Sequence, residues 1–443
     1  MEETSMKILS ADFGTSSVKA AVLNEKEEIL AEAKEEYSYD VINKQNIQID
    51  PEKMYAAFLK CCKSFNKHLP DIEFFSPCVC APVFIPLDKN GTALHPAILH
   101  LDRRSYAESR FALKAVGKKE FMKINGNLPF AGGISCTSML WYKNNLPELY
   151  KRTYKLGHMN TFLHKKFVGK WLIDPSNASF SGLYETLAQG GWSPGICETL
   201  GIDRNLLPDI TPSISIAGKL TKEAAAAMGV KAGIPVAMGA NDTTSAAFGA
   251  GAVNHGDILN VSGSSEIITI TTTTPVPHEK YCIRSSMEPG KWLYLAITVG
   301  GFALEWFRKE FYSEMDKKFF YKNFLDEFVK TRTHSDVKFL PHLAGDRHSL
   351  VRKKGAFTGL TFESTREDLL LALLIGMYDP VFTCIRIAKK HMKLNPHIFW
   401  TGGMVSDAYQ DFKCRTFKGF DFNMKRECST LGNYKVAMRL LKK

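Results

Sequence analysis

The sequence predicts an α/β protein built from two similar domains. Three observations point that way. A strand–small turn–strand unit opens the chain, a second such unit recurs past its midpoint, and long amphipathic helical patterns follow both. The 443-residue length agrees, because a single hydrophobic core stops growing at about 250–300 residues.

The first strand is Lys7–Phe13, and Gly14-Thr15-Ser16-Ser17 makes a small-residue turn into a second strand over 18–23. Another apolar segment follows Asn24-Glu25, and a helical pattern covers 52–68. The downstream echo enters over 256–261, turns through Ser262-Gly263-Ser264-Ser265, and resumes as a strand over 266–270. A helix over 365–390 is announced by Ser364 and Glu367, the spacing of a capping box. The last helix covers 430–441. Small residues Gly249-Ala250-Gly251-Ala252 mark the boundary, dividing the chain into 1–248 and 249–443.

Composition narrows the function class. With 45% hydrophobic and 23% charged residues, the chain is neither disordered, collagen-like nor a disulfide framework. Its 57 Lys+Arg against 46 Asp+Glu give a formal charge of +11, which raises nucleic acid, a membrane surface or a phosphorylated substrate as partners. No nucleic-acid reading module is recognisable, and no run approaches the ~18 apolar residues of a membrane span. The opening Met1-Glu2-Glu3-Thr4-Ser5-Met6-Lys7 is not a signal peptide. Ten cysteines, including Cys61-Cys62, show no CxxC spacing, so reduced thiols in a cytoplasm fit best.

Four loops carry chemistry. Asp12-Phe13-Gly14-Thr15-Ser16-Ser17 sets a carboxylate before a turn whose N–H groups and hydroxyls can donate to phosphate, while the carboxylate can hold Mg²⁺ through water. Read alone, the segment is equally an ordinary hairpin turn. Lys19 could reach a phosphate, although a single Lys in a strand is usually solvated. Ser262-Gly263-Ser264-Ser265 repeats the hydroxyls without the acid, and Thr401-Gly402-Gly403 would let a flat base approach the backbone. Gly239-Ala240-Asn241-Asp242-Thr243 displays Asp242 at the domain junction, as a general base or a helix N-cap. Neither GxGxxG nor GxxxxGK[ST] occurs.

With all four loops in this order, the sequence resembles the FGGY carbohydrate kinases, xylulokinases most closely, which belong to the actin–hexokinase fold group. The likeness also covers His100-Leu101-Asp102-Arg103-Arg104, Asp174 with Asn177-Ala178-Ser179, Gly233-Ile234-Pro235-Val236, the stretch 340–347 and Gly355-Ala356-Phe357-Thr358-Gly359-Leu360. It implies two duplicated actin/ribonuclease-H-like domains with an ATP cleft between them.

Carried over, Asp242 is the base that deprotonates a sugar hydroxyl as it attacks the γ-phosphorus of ATP. Asp12 orients Mg²⁺ through water. Gly14, Thr15, Ser16 and Lys19 hold phosphates from one domain, and Gly263, Ser264 and Ser265 from the other. Gly301 and Glu305 contact the nucleotide, and Gly402 and Gly403 back the adenosine. Pro82, His100 and Asp102 join Asp242 around the sugar or polyol.

Two departures bear on substrate. Xylulokinases have Met-His where this chain has Ala81-Pro82, and His100 replaces the usual Trp, so xylulose marks a neighbourhood of ketoses. Asn433 replaces an Ala of the family's last helix. The competing reading is a catalytically silent nucleotide sensor or scaffold of the same fold. The expected partners are a small sugar or polyol, with no nucleic acid and no membrane. A homodimer is among the assemblies this reading allows.

Overall fold

The computed structural model describes residues 6–43, 45–332, 334–343, 345, 350, 353–404 and 406–442. Residues 1–5, and Ala344, Asp346 and Arg347 of the stretch 340–347, lie outside them. Two six-stranded sheets organise the chain. The first has the order β5–β6–β4–β1–β2–β3, from β1 (Lys7–Phe13), β2 (Ser17–Asn24), β3 (Ile29–Glu36), β4 (Ile72–Val79), β5 (Ile216–Lys219) and β6 (Pro235–Ala237). The second has the order β9–β10–β8–β7–β11–β12, from β7 (Ile258–Ser262), β8 (Ser265–Thr272), β9 (Cys282–Ser285), β10 (Trp292–Val299), β11 (His397–Thr401) and β12 (Asp421–Met424).

The predicted echo is a true repeat of topology. In the first sheet β1 pairs antiparallel with β2, β2 antiparallel with β3, β1 parallel with β4, and β4 parallel with β6. In the second, β7–β8 and β8–β10 are antiparallel while β7–β11 and β11–β12 are parallel. Parallel strands need long crossovers, and helices supply them. The central strands are apolar enough to be covered on both faces: Ile8, Leu9, Val22 and Leu23 are fully buried.

The first helix, α1 (Pro51–Ser64), stops short of residue 68. Its Asp50 cap accepts from the Glu52 N–H, and Pro51 occupies the first turn, where no N–H is needed. The helix expected over 365–390 is two helices, α4 (Arg366–Gly376) and α5 (Asp379–Ala388). Pro380 is the cause, because it has no N–H to donate to the carbonyl four residues back, at Gly376, and its ring crowds that carbonyl, while its own place in the first turn of α5 needs no N–H. The capping box also sits one residue later than expected, on Thr365 and Asp368. The stretch Arg366–Ala388 is apolar and long enough to cross a membrane, but most of it is buried in the second domain's core.

Two helices tie the halves together. α2 (Asp242–Ala250) crosses α7 (Cys428–Leu441) so closely that a Cβ on Gly249 would collide with the Cys428 carbonyl, and one on Gly432 with the Ser245 carbonyl. Asn433, fully buried on α7, donates to Ser10 Oγ (3.2 Å), the Ala11 carbonyl (3.1 Å) and Cys78 Sγ (3.3 Å). The C-terminal helix thus packs on the first sheet, beside the strand that ends at Asp12 and Phe13.

Candidate functional site

β1 and β2 are joined by the turn at Gly14, closed by Gly14 N–H to the Ser17 carbonyl at 2.9 Å. In the second domain, Gly263 N–H reaches the Ser265 carbonyl at 3.0 Å between β7 and β8. A cavity of about 260 Å³ lies between these turns. Thr15 and Ser16 line it from one side and Gly263, Ser264 and Ser265 from the other, with Asp242, Pro82 and His100. A larger cavity of about 960 Å³ adjoins it and shares Leu101, Ser264, Ser265, Ile297 and Phe302.

Asp242 is the first residue of α2 and not its cap. Asn241 caps the helix, its side chain accepting from the Thr244 N–H at 2.9 Å, which leaves the Asp242 carboxylate for the cavity. That carboxylate accepts from Thr243 N–H at 2.7 Å and Thr243 Oγ1 at 3.2 Å. Partial burial, and then the charge of Asp12, push its pKa up to about 7. Asp12 is raised as well, by burial, against hydrogen bonds from Ser429 and Cys78. The two carboxyls act on each other, so they titrate as a pair.

Asp12 Oδ1 is buried without a hydrogen-bond partner. Among the described residues no group of three or more His, Cys, Asp or Glu could hold a metal. One unsatisfied carboxylate oxygen without a ligand cage fits a Mg²⁺ carried mainly by phosphate oxygens and water.

Other expected residues stand elsewhere. Lys19 is exposed and faces Glu427 at 3.7 Å, although its charge still lowers the Asp12 pKa. Asp102 is fully buried as a brace: it pairs with Arg104 Nε at 2.9 Å and accepts from the Ile47 and Arg104 N–H groups. Glu305, on α3 (Gly301–Phe311), is engaged by Arg308 at 3.1 Å and Tyr321 Oη at 2.9 Å, and its pKa falls to about 2, led by the Arg308 contact. Gly301 N–H donates to the Gly263 carbonyl at 2.8 Å, locking α3 to the second turn. Gly402 has φ +116°, and a Cβ there would strike the Ser262 carbonyl. Gly403 has open space where a side chain would be.

Phe130, Phe180, Thr243, Arg284 and Leu295 also line the cavity and were not anticipated. For Arg284 a signal existed: it is the one charged residue in the strand Cys282–Ser285.

The family model for the N-terminal domain of the FGGY family of carbohydrate kinases matches residues 7–249, more than half of the chain. The chain belongs to the FGGY family of carbohydrate kinases. It is therefore an enzyme that phosphorylates a sugar with ATP as donor. The chain is 23% identical over 424 residues to a xylulose kinase of Staphylococcus xylosus, covering 93% of this chain and 86% of that one. It is 25% identical over 391 residues to a gluconokinase of Bacillus subtilis (strain 168), covering 85% and 75%. The fold matches a ligand-bound xylulose kinase from Lactobacillus acidophilus with a TM-score of 0.89 at 18% identity, over 99% of this chain and 90% of that one.

Proposed function

We propose that this FGGY kinase transfers the γ-phosphoryl group of ATP to a hydroxyl of a small open-chain sugar or polyol, with Asp242 as general base. The observation that carries this reading is the convergence of both small-residue turns and Asp242 on one cavity. A base whose pKa lies near 7 accepts a proton at neutral pH and still has a substantial ionised fraction. In phosphoryl transfer the remaining contribution is positioning and charge stabilisation.

Thr15, Ser16, Ser264 and Ser265 hold the phosphates from opposite sides, and backbone N–H groups of the same turns add donors. Asp12 holds the hydrated Mg²⁺, which supplies charge neutralisation on the phosphates when bound. Gly402 and Gly403 support the adenosine, consistent with the open side of Gly403. Domain closure at the boundary near residues 248–249 would exclude water and suppress ATP hydrolysis. His100 and Pro82 border the acceptor, while Asp102 shapes that wall through Arg104.

The relatives' names include xylulose kinase, gluconokinase and L-fuculokinase, so a ketose or a sugar acid is the acceptor we infer at this level. The cysteines form no disulfide among the described residues, which suits a reducing compartment, and we infer a cytoplasmic enzyme. An acceptor screen of ADP release, over ketoses, alditols, glycerol and aldonates, tests the reading. It expects acceptor-stimulated release. Binding of ATP with no stimulation by any acceptor would favour a silent sensor.

A further inference from the structure

Beneath the second small-residue turn lies a buried charged cluster that the transfer reaction does not use. Lys413, on α6 (Asp407–Thr416), and Glu266, on β8, are both shielded from solvent, and their charges meet at 3.0 Å. The three ammonium protons are matched by three acceptors: Asn260 Oδ1 at 2.5 Å, Ser262 Oγ at 2.7 Å and Glu266 Oε1 at 3.0 Å. The ring centroids of Tyr378 and Trp400 each lie 4.7 Å from Nζ and close the cage.

Ser262 is where this cluster meets the loops. Its hydroxyl accepts from Lys413 and, at 2.8 Å, from Trp400 Nε1, and it donates to Glu266 Oε1 at 3.0 Å. That fills its hydrogen-bonding capacity. Its carbonyl accepts from Met404 N–H at 3.1 Å, and Gly402 passes so close to that carbonyl that no Cβ fits. The next two carbonyls are anchored as well, Gly263 by Gly301 N–H at 2.8 Å and Ser264 by Phe302 N–H at 3.2 Å. All three carbonyl oxygens are therefore bonded to α3 or to the loop after β11. The turn keeps them inside its own domain rather than loose beside an anionic ligand.

Stability alone does not explain the pair. Apolar side chains of similar volume often match or exceed a buried ion pair, whereas an ammonium and a carboxylate aim directed bonds at one hydroxyl. We propose that Lys413 is a positioning residue for ATP: paired with Glu266, it fixes Ser262 and thereby holds the phosphate turn in register with the loop at Gly402 and Gly403. Being fully buried, it acts through Ser262 and not by contact with the nucleotide. This inference rests on the reading of those two loops as the nucleotide site.

The test is calorimetric titration of the full chain with MgATP, which needs both loops, and with adenosine, which needs only the loop at Gly402 and Gly403. In the uncharged double variant Lys413→Met with Glu266→Gln, MgATP should bind roughly 10- to 100-fold more weakly, while adenosine changes by less than about twofold. Ser262→Ala leaves the ion pair in place and removes the link, and should weaken MgATP by roughly 10-fold with the same selectivity. Combining all three substitutions should be no worse than the double variant, because both routes act through one hydroxyl. The Ser262→Ala arm decides the matter if the double variant does not fold.

Native MgATP affinity in Ser262→Ala or in the double variant would overturn the proposal. So would equal weakening of adenosine and MgATP, which is what a general loosening of the domain produces, or fully additive losses in the combined variant. Ser264→Ala separates the proposal from the reading beneath it, since this cavity-lining hydroxyl should also contribute to MgATP affinity. If Ser264→Ala binds MgATP as the native enzyme does, the phosphate-turn reading falls, and the positioning role falls with it.

Discussion

The two strand–turn–strand units share a topology but treat their acidic side chains in opposite ways. In the first, Asp12 stands one residue before the end of β1 with one carboxylate oxygen buried and unpartnered, close enough to Asp242 to raise its pKa. In the second, Glu266 follows the turn and is fully neutralised. Lys413, on α6 (Asp407–Thr416) and itself fully buried, reaches Glu266 Oε1 at 3.0 Å, Ser262 Oγ at 2.7 Å and Asn260 Oδ1 at 2.5 Å. Trp400 Nε1 also donates to Ser262 Oγ, at 2.8 Å. One turn thus keeps a carboxylate oxygen without a partner, and the other compensates its own acid with a buried lysine.

Substitutions can break this contrast from either side. The largest effect is expected for Asp242→Asn, which should lower kcat by about 10²- to 10⁴-fold while ATP affinity, read by calorimetry, stays near normal. Near-normal turnover would remove Asp242 as the base. Next comes Lys413→Met, which strands the Glu266 charge in the core and should cost about 3–5 kcal/mol in urea unfolding. The double variant Lys413→Met with Glu266→Gln should recover most of that loss, since both charges leave together. A double variant as unstable as the single one would show that the pair is not coupled.

Asp12→Asn should reduce kcat by roughly 10- to 100-fold and raise the Mg²⁺ concentration needed for half-maximal rate. An unchanged Mg²⁺ requirement would contradict its role. The smallest effect concerns stability. Asp242 is easier to protonate in the folded state, at about 7, than at its ordinary value of 3.8. Its ionisation therefore weakens the native state as pH rises from about 4 through 7. Asp242→Asn removes that cost, so it should be more stable than the native enzyme at pH 8 and indistinguishable near pH 4. A variant less stable at pH 8 would reverse the sign.

Much of this architecture was legible in the residues. β1 runs over its expected span, Lys7–Phe13, because an apolar run ends at a small-residue turn. The second unit was found by likeness to the first. The α4–α5 break was missed because apolar periodicity continues across Pro380, whose backbone effect periodicity does not register.

The turn residues singled out in the sequence come together in the structure: Thr15, Ser16, Gly263, Ser264, Ser265 and Asp242 line one cavity. Local pattern does not encode which partners long side chains choose in three dimensions. Lys19 lies across from Asp12 in the β1–β2 register yet reaches out to Glu427, and Glu305 turns to Arg308. Arg284 depends on β9 of one domain meeting Ser179 and Phe180 of the other, a contact no local pattern encodes.

The contrast between the two turns is tested most directly by the pH dependence of kcat/KM in three proteins: the native enzyme, Asp12→Asn and Glu266→Gln. The native profile should rise with an apparent pKa near 7, the value of Asp242 beside Asp12. Asp12→Asn should move that limb to lower pH, because the neighbouring negative charge is gone, whereas Glu266→Gln should leave it in place. A limb that stays at 7 in Asp12→Asn, or shifts equally in Glu266→Gln, would contradict the assignment.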